Sequence, residues 1–389
     1  RQTDESIRRA RNLRIERLEE KTLLAGNVTV EVSDGDLRII GDDQNNDIQV
    51  IAYDAGGYLV RGEEGTRING RLYDEGEGIV VRGVTDDIRL EMRGGFDALA
   101  VTGGLGVLPD GEVTDGEVLD LRVPDDLIIR KGSGGMDVFI QDVDVGDDLR
   151  LKLEDGADNV LISESRIRDD LEIRTEGGHD DIFLDLVRVY DDIEINTGEG
   201  RNAVSIDATL VRDDLRIEGG DSQSGDAILM RETSVGDDLR INTLAGNDKV
   251  CLLAVRVHNM EIQLSRGNDR LDLAAVIADR ARLNGDSGFD IVGTTADEVF
   301  GNDLNDLEVR KFESHDAFVN CFDDITPEQE RLSQDVNNDG DVTAMDALLI
   351  VNDLGRTSAG EGEQVSGSSQ HYLDVNGDNR VSVMDALHV

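Results

Sequence analysis

The sequence predicts an all-β fold, a parallel β-helix with about 22 residues and three short strands per coil, followed by a small α-helical module at the carboxyl end. Three observations carry this. An Asp-Asp pair, or its positional equivalent, recurs at 125, 147, 169, 191, 213 and 237, with degenerate copies at His258-Asn259 and Asp279-Arg280, giving spacings of 22, 22, 22, 22, 24, 21 and 21. Such a period marks a solenoid, in which one unit cannot bury its apolar face alone and neighbours must stack. Each unit also holds stretches in which apolar and polar residues alternate, the period-two pattern of strands. Finally, 43 glycines against 3 prolines suit many tight turns better than long helices.

At the amino end, residues 1–26 mix arginine and glutamate with a few leucines and read as an exposed helix or leader. Within them LEEKTLL, Leu18 to Leu24, resembles the LEPR-XLL segment of exported bacterial proteins, with Glu20 where that motif has proline and Lys21 where it has arginine. No run approaches the roughly 18 apolar residues of a membrane-spanning helix.

Residues 27–300 are assigned to the β-helix. One strand follows each aspartate pair (Leu149, Leu151 and Leu153; Leu171 and Ile173; Ile193 and Ile195). A second follows a glycine-rich turn (Val160 and Ile162; Ile182 and Leu184; Val204 and Ile206). The third is brief (Val143 and Val145; Val187 and Val189; Val255 and Val257). The pattern extends upstream through NVTVEVSDGDLRIIGDDQNNDIQVIAYD, and the spacing of 39 from Asp86 to Asp125 implies an insertion near GLGVLPDGEVTDGEV.

The aspartate pairs thus occupy one corner of successive coils, about 4.8 Å apart, where like charges repel by about 1 kcal/mol each in water. Two readings are open. In one, an aspartate of each pair accepts a backbone N–H as in an Asx-turn while the other is solvated or meets Arg130, Arg150, Lys152 or Arg174. In the other, calcium ions thread the column.

A second corner carries SGGMDVFI, DGADNVLI, EGGHDDIFL, LAGNDKVCL and SRGNDRLDL. These resemble half of the nonapeptide GGxGxDxUx of calcium-binding RTX β-rolls, with Asp137, Asp181, Asp248 and Asp269 at the aspartate position, although there is one copy per coil instead of two. Alternation also sends Phe139, Leu161, Phe183, Leu229 and Cys251 to the outside. Either the strand phase is wrong or this apolar stripe is covered, by the chain's own insert or tail or by a partner. Whether Cys251 and Cys321 pair is left open by their number alone.

Residues 301–334 read as a cap and connector, with Phe312, Phe318 and Phe322 suited to closing the open end of the solenoid. In residues 335–389 the phrases DVNNDGDVTAMD and DVNGDNRVSVMD match the calcium-loop pattern D-x-[DN]-x-[DN]-G through five positions, with aspartate at the twelfth. The first loop offers Asp335, Asn337, Asp339, the Asp341 carbonyl, Thr343 and Asp346. The second offers Asp374, Asn376, Asp378, the Arg380 carbonyl, Ser382 and Asp385. Gly340 allows the central turn of the first loop, and Asn379 takes that place in the second. The paired loops resemble a type I dockerin, which implies Ca2+ and docking to a cohesin-like partner. Ala344-Met345 and Val383-Met384 stand where that family usually shows a hydroxyl pair.

With 85 acidic against 39 basic residues and a net charge of −46, nucleic acid is an unfavourable partner and cations favourable ones. The expected function is a secreted or cell-surface, calcium-binding structural or adhesion-type protein that meets a polysaccharide or another cell-surface component and docks through its tail. The alternative is a polysaccharide-degrading β-helix enzyme, a lyase or glycoside hydrolase. No catalytic residue is assigned: a repeated carboxylate pair singles out no centre, and His179 in GGHDD is the nearest isolated candidate.

Overall fold

The computed structural model describes residues 26–317 apart from 55, 75, 108–112, 222–224 and 295–306. Every described strand pair between Leu121 and Ala317 is parallel, and each strand lies against its equivalent one coil away. The strands that follow the aspartates form one ladder, running from Leu37 through Ile88, Leu127, Leu149, Leu171, Ile193, Leu215, Leu239, Met260 and Ala281 to Leu307. Those after the glycine-rich turn form another, from Ile48 through Leu99, Val138, Val160, Ile182, Val204, Ile228, Val250 and Leu271 to Val292. The brief strands stack separately, as in Val145, Ile167, Val189, Val211 and Val235. The product is a β-solenoid of about 8 turns.

Inward residues of the three ladders make one continuous core. Leu149, Leu171, Ile162, Leu184, Ile167 and Val211 are each fully enclosed. Burying a side chain of this size contributes about 1.5–3 kcal/mol, so the alternation read in the sequence is the main source of stability. Phe312, half-buried, packs against this core at its carboxyl end. The ladders continue past position 300, since Leu307–Arg310 and Ser314–Ala317 add in parallel to the two main sheets.

Three features differ from the sequence-based expectation. Upstream, the pairing is partly antiparallel: Asn27–Ser33 folds back on Asp36–Ile40, and Asp47–Asp54 pairs with Gly57–Glu63, which pairs with Ile79–Arg82. The first of these hairpins turns on Asp34 and Gly35, both at positive φ, and Asp-Gly is a hairpin signal whose twist matches antiparallel strands. Second, the insertion before Leu121 contains an antiparallel pair, Gly104–Val107 with Val113–Leu119. Third, three strands per coil hold only as far as the coil of Leu239. In the next two coils the brief strand and its successor fuse into eight-residue strands, Arg256–Gln263 and Ile277–Asn284. The fused coils are those in which His258-Asn259 and Asp279-Arg280 replace the aspartate pair, which makes the pair the cause of the corner.

The turn before each brief strand has no glycine signal. Asp142, Glu164, Leu186, Ala208, Glu232, Ala254 and Ala275 take φ between 45° and 56° there. Stacked neighbours impose a conformation that these residues avoid when unconstrained.

Candidate functional site

The aspartate corner divides its work between the two residues of each pair. The first holds the corner by backbone: Asp147 N–H donates to the Asp125 carbonyl at 3.1 Å, Asp169 to Asp147 at 3.1 Å, and Asp191 to Asp169 at 3.3 Å. The second uses its side chain. Oδ1 of Asp126, Asp148, Asp170, Asp192 and Asp214 accepts the N–H of the second aspartate one coil on, at 3.1, 2.9, 3.1, 2.8 and 3.0 Å. A side-chain acceptor thus replaces a carbonyl at this point and breaks the strand. One aspartate of each pair does accept a backbone N–H, but that N–H belongs to the next coil, 22 or 24 residues on, and the bond is not a local Asx-turn.

The first aspartates project outward, and their carboxylates gather with the neighbouring pair. Oxygens of Asp125, Asp126 and Asp147 lie within 4.8 Å of one another, as do those of Asp147, Asp148 and Asp169, of Asp169, Asp170 and Asp191, and of Asp191, Asp192 and Asp213. Desolvation, followed by the neighbouring carboxylates, raises the pKa of Asp125 and of Asp191.

Arginine compensates this charge unevenly. Arg89 bridges Asp36 and Asp87, Arg150 bridges Asp126 and Asp148, and Arg240 bridges Asp214 and Asp238. Glu172 and Glu194 stand at the arginine position in the central coils, and among the described residues no ion pair within 4 Å reaches Asp169, Asp170, Asp191 or Asp192. Of the basic residues expected at this edge, Arg150 alone forms ion pairs with the aspartates there. Lys152 meets Glu176 at 3.5 Å, and Arg174 meets Glu172 at 2.7 Å and Glu194 at 3.6 Å.

At the glycine-rich corner the register corrects the sequence reading. Asp137, which is buried, and Asp181, which is half-buried, both pair with Asn159 and stand one residue outside the interior column. The interior column lies one residue earlier, through Asn46, Asp97, Met136, Asp158, Asp180, Asn202, Asp226, Asp248, Asp269 and Asp290. Asp248 and Asp269 belong to this column, whereas Asp137 and Asp181 do not. A constant spacing of two residues after the turn glycine, as in Gly156 to Asp158, Gly178 to Asp180 and Gly288 to Asp290, would have found the others.

Oδ1 of each interior aspartate accepts the N–H of its predecessor: Met136 to Asp158 at 2.7 Å, Asp158 to Asp180 at 3.0 Å, Asp226 to Asp248 at 2.8 Å, and Asp269 to Asp290 at 3.0 Å. Asn202 performs the same task for Asp180 at 3.1 Å. Burial raises these carboxyls, Asp158 to about 8, Asp269 to about 7, and Asp180 and Asp226 to about 6. Where Met136 interrupts the column, the buried ammonium of Lys131 meets the Asp97 carboxylate at 3.1 Å and donates to the carbonyls of Arg93 at 3.2 Å and Ser133 at 2.9 Å.

The strand phase was right, and the outward apolar stripe is sheltered. Phe139, Leu161, Leu229 and Cys251 are buried and Phe183 half-buried, and Ala100, Phe139 and Leu161 form a small cluster separate from the main core, with Phe183 packed against it. Cys251 is disulfide-bonded, and Cys321, the only other cysteine of the chain, lies outside the described residues. His179 is a loop residue whose Nδ1 accepts the Arg201 N–H at 3.1 Å.

Fold and corner together define an acid-edged β-solenoid. The loops from Asp335 to Asp346 and from Asp374 to Asp385, the LEPR-XLL-like segment, Phe318 and Phe322 all lie outside the described residues. A family model for the dockerin type I domain matches residues 333–389, a span that contains both loops. No curated protein and no solved structure matches the chain. Among the described residues, no helix is long and apolar enough to cross a membrane.

Proposed function

We propose that this chain is an exported, calcium-binding structural or adhesion-type β-solenoid, attached by its dockerin domain to a cohesin-like partner. The observation that carries the reading is the dockerin match over 333–389, joined in one chain to a stacked acidic repeat. Calcium takes six to eight oxygen ligands. Asp335, Asn337, Asp339 and Asp346 would supply side-chain oxygens in the first loop, with the Asp341 carbonyl and Thr343. Asp374, Asn376, Asp378 and Asp385 do the same in the second, with the Arg380 carbonyl and Ser382. Calcium bound by such loops is coupled to folding, so the module presents its docking face only when loaded. The solenoid contributes a stiff acidic edge that favours cations, and through them an anionic polysaccharide or cell-surface component.

Calcium titration of the full chain by calorimetry, together with retention on immobilised cohesins, tests this. Uptake of two ions by the tail and retention abolished by chelation are expected. A tail that takes up no calcium, or retention indifferent to chelator, overturns it.

A further inference from the structure

The interior aspartates differ in what surrounds their second oxygen. Oδ2 of Asp158, Asp180, Asp226, Asp248, Asp269 and Asp290 is enclosed and lacks a hydrogen-bond partner of good geometry. The residues just past the end of the preceding strand differ from coil to coil in what they offer that oxygen. Thr175 and Thr243 stand there for Asp180 and Asp248, and their hydroxyls lower the two carboxyls. The Gly220 N–H does so for Asp226. Asp158 and Asp269 have Leu153 and Leu264 instead, both fully buried, whose side chains carry no hydroxyl to meet the carboxyl.

We propose that Asp158 and Asp269 are carried as neutral carboxylic acids in the folded protein up to neutral pH, which makes the solenoid a device that loosens as the medium turns alkaline. An ionised carboxylate without a partner in such a place costs several kcal/mol, and a proton on Oδ2 removes that cost while leaving Oδ1 free for the coil-to-coil bond. The charged groups around each carboxyl agree. Asp158 faces Asp180 and Asp137, which oppose its ionisation, and Lys131, which favours it but is already held by Asp97 and two carbonyls. Asp269 faces Asp248 and Asp290, both acidic.

The direction of the linkage follows. Both carboxyls are raised above their unfolded value of 3.8, to about 8 and about 7, so the folded chain holds more protons than the unfolded one between those limits. Their contribution is fully present below the unfolded value, is lost as pH rises, and is gone above about 8.

Denaturant unfolding of the full chain at fixed free calcium, between about pH 5 and pH 9, tests the proposal on wild type, Asp158→Asn and Asp269→Asn. Asparagine is native to the column at Asn46 and Asn202, so each variant retains the coil-to-coil bond. Each variant should lose close to one proton from the pH dependence of unfolding, match wild type at the acid end and exceed it at the alkaline end. A variant less stable than wild type at the alkaline end overturns the proposal. Infrared spectroscopy gives a second reading: because burial also raises Asp47 to about 7, a protonated-carboxyl band at neutral pH that is weaker in each variant than in wild type supports the proposal, and a band absent from wild type or unchanged in both variants overturns it.

Discussion

The backbone N–H of Asp170 donates to Oδ1 of Asp148, one coil earlier, at 2.9 Å. This side-chain bond stands where a carbonyl would otherwise continue the ladder, and it turns a continuous strand into a corner. Replacing Asp148 by Ala removes the acceptor and should cost about 1–3 kcal/mol, whereas Asp148→Asn keeps Oδ1 and should cost less. Denaturant midpoints compare the two, and faster hydrogen exchange at the Asp170 amide in the alanine variant alone would locate the effect.

Lys131 and Asp97 form an ion pair in which both side chains are fully enclosed. Lys131→Met strands a buried carboxylate and should destabilise by about 3–5 kcal/mol near neutral pH. Combining it with Asp97→Asn should restore most of the loss, because Asn46 shows that asparagine is accommodated in the column. A double variant no more stable than Lys131→Met alone would contradict the pairing.

Gly178 lies against the coil below it. A Cβ there would sit 1.4 Å from the Gly156 carbonyl oxygen, at a φ of 156°. Gly178→Ala should therefore lower the melting temperature sharply and expose the neighbouring coils to protease. Ala254 is the opposite case, an alanine at φ 56°, and Ala254→Gly should stabilise by about 0.5–1 kcal/mol, the difference between relieved strain and added chain entropy. Thermal melts of the two variants should move in opposite directions.

On the proposed reading of the carboxyl-terminal loops, Asp335→Ala and Asp374→Ala would each remove the first oxygen ligand of one loop. Each should reduce calcium stoichiometry by one ion, and the double variant should leave the tail without calcium and abolish retention on cohesin. Calorimetry with the intact chain separates this from any weaker uptake along the aspartate corner.

Much of the fold was legible because repetition amplifies weak local signals. One alternating stretch such as Val204 and Ile206 is ambiguous, but the same alternation at a fixed period specifies stacked coils. The glycine-rich corner was misread by one residue at Asp137 and Asp181 because Met136 and Asp180, two residues after Gly134 and Gly178, hold the interior position there, the same spacing that joins Gly246 to Asp248 and Gly267 to Asp269. The αL turns at Leu186, Ala208 and Ala254 left no trace, since the coils on either side impose their backbone, not their own side chains.

By itself the sequence determined the period, the inward alternation, the acid edge and the two acidic loops, all of them consequences of local chemistry repeated along the chain. Only the tertiary structure decided which aspartates are buried, which arginine spans two coils, and where Lys131 replaces a missing member of the column. Those outcomes depend on register between residues more than twenty positions apart, and a shift of one residue turns a solvated carboxylate into an enclosed one.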